Sequence, residues 1–307
     1  MITLARQSAE KKAVRDLGSL VVEDGNIEVA GRHRTYHEVT PANLAKGAPL
    51  LLVFHGSNQT GKKVRAFSGY TFDALAARHG VRVVYLNGYK AHWNDGRISV
   101  NFPARRENYD DVAFTRAVIS RSVDNGGTDP SRVFVAGYSN GGQMVIRLIH
   151  EAPELFAGAT IISATKPARE NFMIDGELRP LPVLLIHGTR DPLVPYNGGM
   201  ASLWGFRPRG LGLSFSESAE YYARCNGIDA EPVISRPQPG RQARKTSIET
   251  ADYREAGKPS VKAVTVHNGG HVIPNLTAAA PRIMGRTNQE FDTGQEMWEF
   301  YAAEGKA

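Results

Sequence analysis

Short apolar runs alternate with helix-spaced segments along most of this chain. Pro49–Phe54 (PLLLVF), Val81–Leu86 (VRVVYL), Arg132–Gly137 (RVFVAG), Ala157–Ser163 (AGATIIS), Pro182–His187 (PVLLIH) and Val261–His267 (VKAVTVH) have the length and residue types of strands. Tyr70–Gly80, Asn108–Asn125, Gly141–Ala152, Ser216–Asn226 and Thr287–Ala302 read as helices between and after them. Strands alternating with helices need crossover connections, which build a parallel sheet covered on both faces. Runs that are apolar throughout agree, because a strand buried on both faces has no polar side. Leu20–Val39 reads as two earlier strands, added antiparallel at the sheet edge. The expected fold class is therefore α/β, with a mostly parallel central sheet and helices on both faces.

Two stretches break the alternation. Ser235–Ser260 is polar and basic, with Pro and Gly. Tyr196–Ser214 is too Gly-rich for a stable helix, yet it holds Trp204 and Phe206. Aromatic side chains on a surface loop find either a ligand or the body of the domain. The segment is thus a lid-like edge of a cleft or a pinned loop. Neither stretch is long enough for a second domain, so residues 1–307 are read as one domain, with 1–48 forming its edge.

Composition narrows the class. Hydrophobic residues make up 41% of the chain and charged residues 22%, enough apolar material for a globular core. No run approaches the roughly 18 apolar residues of a membrane span, so no membrane partner is expected. The net charge of +6 comes with local clusters at Arg207–Arg209 and Arg236–Lys245 but no nucleic-acid motif, so the clusters read as solvated loops. The single cysteine, Cys225, allows neither an internal disulfide nor a zinc cluster. Met1–Leu20 mixes charges throughout and lacks the apolar stretch of a secretory leader. A cytoplasmic location is expected for the chain as given, the alternative being a secreted protein whose leader is absent from it.

The candidate chemistry lies at strand ends. Gly137-Tyr138-Ser139-Asn140-Gly141 fits the pattern G-x-S-x-G between the strand RVFVAG and the helix GGQMVIRLIH. That setting exposes a serine hydroxyl on a sharp turn. A hydroxyl is a poor nucleophile until a base takes its proton and an acid orients the base. In this arrangement acid and histidine follow the serine along the chain. Asp191 lies just past PVLLIH, and His271 follows Gly269-Gly270 after the last strand. Ser139, Asp191 and His271 are the expected triad. The backbone N–H groups of Asn140 and Ser57, with Asn58 second to Ser57, are expected to bind the oxyanion. His55 reads as a buried hydrogen-bonding residue. Asp110 and Asp111 open a helix and read as cap or first-turn carboxylates. Trp93, Tyr196 and Trp204, with Tyr89, are candidate aromatic walls for an acyl group. This chemistry needs no metal and no organic cofactor.

Taken in order, LLLVFHGSNQTG, ENYDDVAFTRAVI, DPSRVFVAGYSNGGQM, LLIHGTRDPLVPYNGG, GGHVIPN and FDTGQEMWEFY resemble the polyhydroxybutyrate depolymerase-like and feruloyl esterase-like α/β-hydrolases. The blocks span about Leu50 to Phe300. The resemblance implies a serine carboxylic ester hydrolase that forms an acyl-enzyme. Its substrate would be a small-molecule or oligomeric ester, either a feruloyl or other hydroxycinnamoyl ester or a hydroxyalkanoate oligomer. An acetyl esterase on carbohydrate, a serine peptidase of the same fold and a non-catalytic binding module are the alternatives. Two departures stand out: Ser57 where secreted members often carry Cys, and Val272-Ile273-Pro274-Asn275 where Trp-Pro-Gly usually follows the histidine.

Overall fold

A computed structural model describes residues 17, 20–175, 178–237 and 245–307. The stretch read for a leader and most of the Arg236–Lys245 cluster lie outside them. Six strands form a parallel centre in the order β4 (Arg82–Leu86), β3 (Ala48–Phe54), β5 (Thr128–Tyr138), β6 (Gly158–Ile162), β7 (Val183–Gly188) and β12 (Val261–His267). Every residue of β3 is buried. Leu50, Leu52 and Phe54 enter one core cluster, and Leu51 and Val53 enter the other. The alternating directions of adjacent side chains thus build both cores from a run with no polar position.

Antiparallel strands close both sides. β1 (Leu20–Val29) and β2 (Arg32–Pro41) form a hairpin, and β2 pairs with β4. Its turn, Ala30-Gly31, has φ of 49° and 71°, the left-handed pair that suits strand twist. On the other side β12 pairs with β11 (Ser247–Tyr253), and β11 with β10 (Val233–Ser235).

The helix Asp111–Gly126 is capped by Asp110, whose carboxylate accepts from Ala113 N at 2.8 Å. Asp111 lies in the first helical turn, as expected, and also reaches across the fold. It is fully buried, pairs with Arg34 of β2 at 2.6 Å and accepts from Asn94 N at 2.8 Å. Burial pushes its carboxyl pKa up against the opposing pull of Arg34. It is a cross-link between the edge strands and the helix layer.

Tyr196–Ser214 holds a two-stranded hairpin separate from the main sheet, β8 (Gly199–Leu203) and β9 (Phe206–Gly212). Trp204 and Gly205 make its turn at φ of 50° and 80°. The base is tied down by Ser202 N to Leu193 O at 3.0 Å, Leu213 N to Lys166 O at 2.9 Å and Ala168 N to Leu211 O at 3.0 Å.

Candidate active site

β3, β5, β7 and β12 run in the same direction, so the loops after them gather at one edge of the sheet, where open parallel sheets collect their functional groups. Ser139 follows β5 at φ 56°, ψ −115°, and its successor starts the helix Asn140–Glu151. A non-glycine residue held in such a region costs about 1–3 kcal/mol, so its surroundings must enforce it. They do: Ser139 N donates to Ile162 O and Gln143 N donates to Ser139 O, both at 2.9 Å. The flanking glycines are a packing requirement. A Cβ at Gly137 would fall on the Gly141 carbonyl, and one at Gly141 on the Phe54 carbonyl.

His271 and Asp191 reach this serine from separate loops. His271 Nε2 lies 2.8 Å from Ser139 Oγ, and His271 Nδ1 lies 2.7 Å from Asp191 Oδ2. Nδ1–H therefore donates to the carboxylate, which leaves Nε2 to accept the serine O–H. Asp191 Oδ1 accepts from Leu193 N and Val194 N, each at 2.8 Å. Burial alone would raise the Asp191 pKa. The adjacent His271, His187 and the Val194 N–H outweigh it and hold the carboxyl below its ordinary value. The histidine loop is anchored through its backbone: Tyr138 OH donates to His271 O at 2.8 Å and His271 N donates to Met284 O at 2.7 Å.

The loop after β3 packs on the start of the serine helix. His55 Nδ1 donates to Gly56 O at 2.8 Å and His55 Nε2 accepts from Gly88 N at 2.9 Å. Burial lowers the His55 pKa to about 4, so the ring is neutral and acts as a strut. Asn58 N is committed to Ala91 O at 2.9 Å, which leaves Ser57 as the residue of this loop whose N–H can face a ligand. Asn140 is clamped by its side chain. Its Oδ1 accepts from Trp93 N at 3.0 Å and its Nδ2 donates to Asp95 Oδ2 at 2.5 Å. Asp95 is itself buried and paired with Arg97 at 2.6 Å.

The aromatic walls need correction. Trp93 is fully buried. Its indole N–H donates to His55 O at 2.8 Å and its ring meets Phe54 edge-on at 4.9 Å, so it belongs to the core and offers no surface to a substrate. Tyr196 is tied into the domain body, with its hydroxyl 2.8 Å from Thr265 Oγ1 and its ring against Phe215. Tyr89 stacks on Tyr109 at 3.8 Å. Trp204 and Phe206 stand exposed at the hairpin tip, at 42% and 77%.

Sequence reasoning missed a group of residues around Arg209, next to the loop that carries Ser57. Ala201 and Arg209 to Gly212 of the hairpin line a narrow crevice with Arg97, Gln143 and Thr165. Arg209 Nη1 donates to Ser57 Oγ at 3.4 Å, and its guanidinium lies 5.2 Å from the Phe102 ring, which packs against His92 at 4.3 Å with a 30° tilt. Gln143 is buried, donates to Thr165 O at 2.9 Å and leaves its Oε1 without a partner among the described residues. The sequence signal for Asp95 and Arg97 was the turn Asn94-Asp95-Gly96-Arg97. Nothing local marks Phe102, and Arg209 reads in the sequence as part of a solvated Arg207–Arg209 cluster, whereas it is half-buried against Ser57 and Phe102.

A model of the phospholipase/carboxylesterase family matches residues 45–203, more than half of the chain. The putative esterase NocK of Nocardia uniformis subsp. tsuyamanensis is 31% identical over 304 residues, 95% of this chain and 85% of that protein. The chain belongs to the phospholipase/carboxylesterase family. It is a carboxylic ester hydrolase, as the motif blocks implied. Feruloyl esterase B of Piromyces equi is 29% identical over 239 residues, 74% of this chain and 40% of that protein. An acetyl xylan esterase from Aspergillus awamori superposes with a TM-score of 0.61 at 17% identity, over 93% of this chain and 99% of that one. At that identity the likeness shows the α/β-hydrolase fold alone. Among the described residues no helix is long and apolar enough to cross a membrane, and no three His, Cys, Asp or Glu side chains cluster to hold a metal ion.

Proposed function

We propose that Ser139 attacks the ester carbonyl, with His271 as base and Asp191 as the acid that orients it. The observation that carries this reading is the unbroken relay from Ser139 Oγ to His271 at 2.8 Å and on to Asp191 at 2.7 Å, built on a strained serine. Nε2 takes the hydroxyl proton as Oγ bonds to the carbonyl carbon. The carbonyl electron pair moves onto oxygen, where the N–H groups of Ser57 and Asn140 bind it. One such donor contributes about 10²–10³-fold in rate. The intermediate collapses, and the leaving alkoxide takes the proton from Nε2. Water then gives its proton to Nε2 and adds to the acyl carbon. The second collapse releases the acid and restores Ser139.

The preferred substrates in this reading are hydroxycinnamoyl esters. Arg209 of the hairpin β8–β9 reaches Ser57 Oγ, and the Phe102 ring, with His92 tilted 30° against it, lies beside that guanidinium, so aromatic surface and hairpin stand next to the oxyanion loop. The match to a feruloyl esterase over 74% of the chain supports the same choice. A hydrolysis panel tests it. Methyl ferulate should exceed a 3-hydroxybutyrate dimer in kcat/KM by at least about tenfold, the discrimination a shaped apolar pocket gives. The reverse order would assign the cleft to hydroxyalkanoate oligomers. A preference for methyl acetate over both, with the leaving group matched to that of methyl ferulate, would assign it to acetyl groups.

A further inference from the structure

The helix Asn140–Glu151 begins beside Ser139 and carries His150 near its far end, about 16 Å along the axis at 1.5 Å per residue. A cavity of about 430 Å³ opens there, within the range of small-molecule sites. Its walls are mainly apolar: Phe172, Ile174, Leu213 and Tyr221. One cation is buried in it. Lys166 is only 7% exposed, and its Nζ sits 3.9 Å from the centre of the Phe172 ring and 5.1 Å from that of Tyr221. Among the described residues its Nζ makes one hydrogen bond, to the Pro167 carbonyl, which is long at 3.5 Å.

The neighbouring polar groups are already engaged. His150 Nδ1 bonds to Ile146 O at 2.6 Å, and its Nε2 meets Tyr221 OH at 2.8 Å. At the rim Asp175 is held by Arg169. Among the described residues no carboxylate forms an ion pair with Lys166. A buried ammonium without a counter-charge is costly, and an anion that fills the cavity recovers that cost.

We propose that this cavity is a second ligand site, apart from the serine, that takes a carboxylic acid with a flat apolar body. The carboxylate lies on Lys166 and the ring against the apolar wall that includes Ile174 and Leu213. Ester hydrolysis releases acids of this class. The Lys166–Ala168 segment that bears the amine also pins the base of the hairpin, through Leu213 N to Lys166 O and Ala168 N to Leu211 O.

Protonation gives the site a signature. Burial lowers the Lys166 pKa to about 8, with Arg169 adding to the fall and Cys225 opposing it. Burial holds His150 near 4, and it raises Tyr221 well above its ordinary range. A bound carboxylate stabilises the ammonium and raises the Lys166 pKa. Binding at pH 8 therefore takes up protons, and affinity falls as pH rises further.

Titration calorimetry of the full chain with 3-phenylpropanoate at pH 8, in buffers of different ionisation enthalpy, tests this. The expected result is binding with net proton uptake that persists in Cys225→Ser. Lys166→Met and the cavity-filling Ile174→Trp should each weaken binding at least tenfold, and the uncharged 3-phenylpropanamide should bind at least tenfold more weakly than the acid. No binding at millimolar acid overturns the proposal, as does equal binding of acid and amide. Unchanged binding in Ile174→Trp would put the acid elsewhere, and that variant decides the matter if Lys166→Met does not fold.

Discussion

Ser139→Ala should lower ester turnover by about 10⁴- to 10⁶-fold while the protein stays folded. At 1.36 kcal/mol per decade this is roughly 5–8 kcal/mol of transition-state stabilisation. The substitution removes one oxygen and its hydrogen bond to His271 Nε2, and the acyl-enzyme can then no longer form. It barely disturbs packing. The backbone strain at φ 56° persists with alanine, and the bonds that enforce it, to Ile162 and Gln143, run through the main chain. Substrate affinity should change little, so the loss falls on kcat. Turnover of p-nitrophenyl acetate with a thermal melt alongside measures both. A variant with the parental melting temperature and activity within tenfold of the parent would remove Ser139 from the reaction.

Asp191→Asn should cost about 10³- to 10⁴-fold in kcat. The carboxylate accepts the Nδ1–H of His271, which leaves Nε2 free to accept the serine proton. An amide can instead present its NH₂ to that nitrogen. It then stabilises the opposite tautomer, and Nε2 points a proton at the serine. The loop itself should survive, because an Asn oxygen can still accept from Leu193 N and Val194 N. The control is Asp110→Asn. Asp110 caps a helix through Ala113 N, and its loss should leave kcat essentially unchanged. Equal damage from the two substitutions, in folded proteins, would mean that Asp191 does not orient the base.

The sequence carries the parallel centre and the relay because both rest on local signals. β3 and β7 have no polar position other than His187, and only a strand buried on both faces reads that way. Ser139 is legible because glycines flank it, Gly137 being required by the Gly141 carbonyl and Gly141 by the Phe54 carbonyl. Asp191 and His271 follow from their place after β7 and β12, which are neighbours in the sheet. β11 was missed because its residues, SIETADY, are only partly buried and half polar, so they imitate a loop. The last helix starts at Thr293 rather than Thr287, because the Asp292 carboxylate caps it there through Gly294 N and Gln295 N. Trp93 misled for a tertiary reason. Its indole N–H finds the His55 carbonyl across the fold, which allows complete burial of a side chain that composition alone assigns to a pocket rim. Arg209 and Phe102 come together from positions more than a hundred residues apart, a pairing that no short-range pattern encodes.

The relay is tested most directly by labelling the protein with a fluorophosphonate, followed by intact-mass measurement and peptide mapping. The account predicts a single phosphonyl adduct on the peptide that contains Ser139. Ester hydrolysis should disappear in proportion to the labelled fraction, and the Ser139→Ala protein should take up no label under the same conditions. An adduct on another residue, or full hydrolytic activity with Ser139 completely labelled, would contradict it.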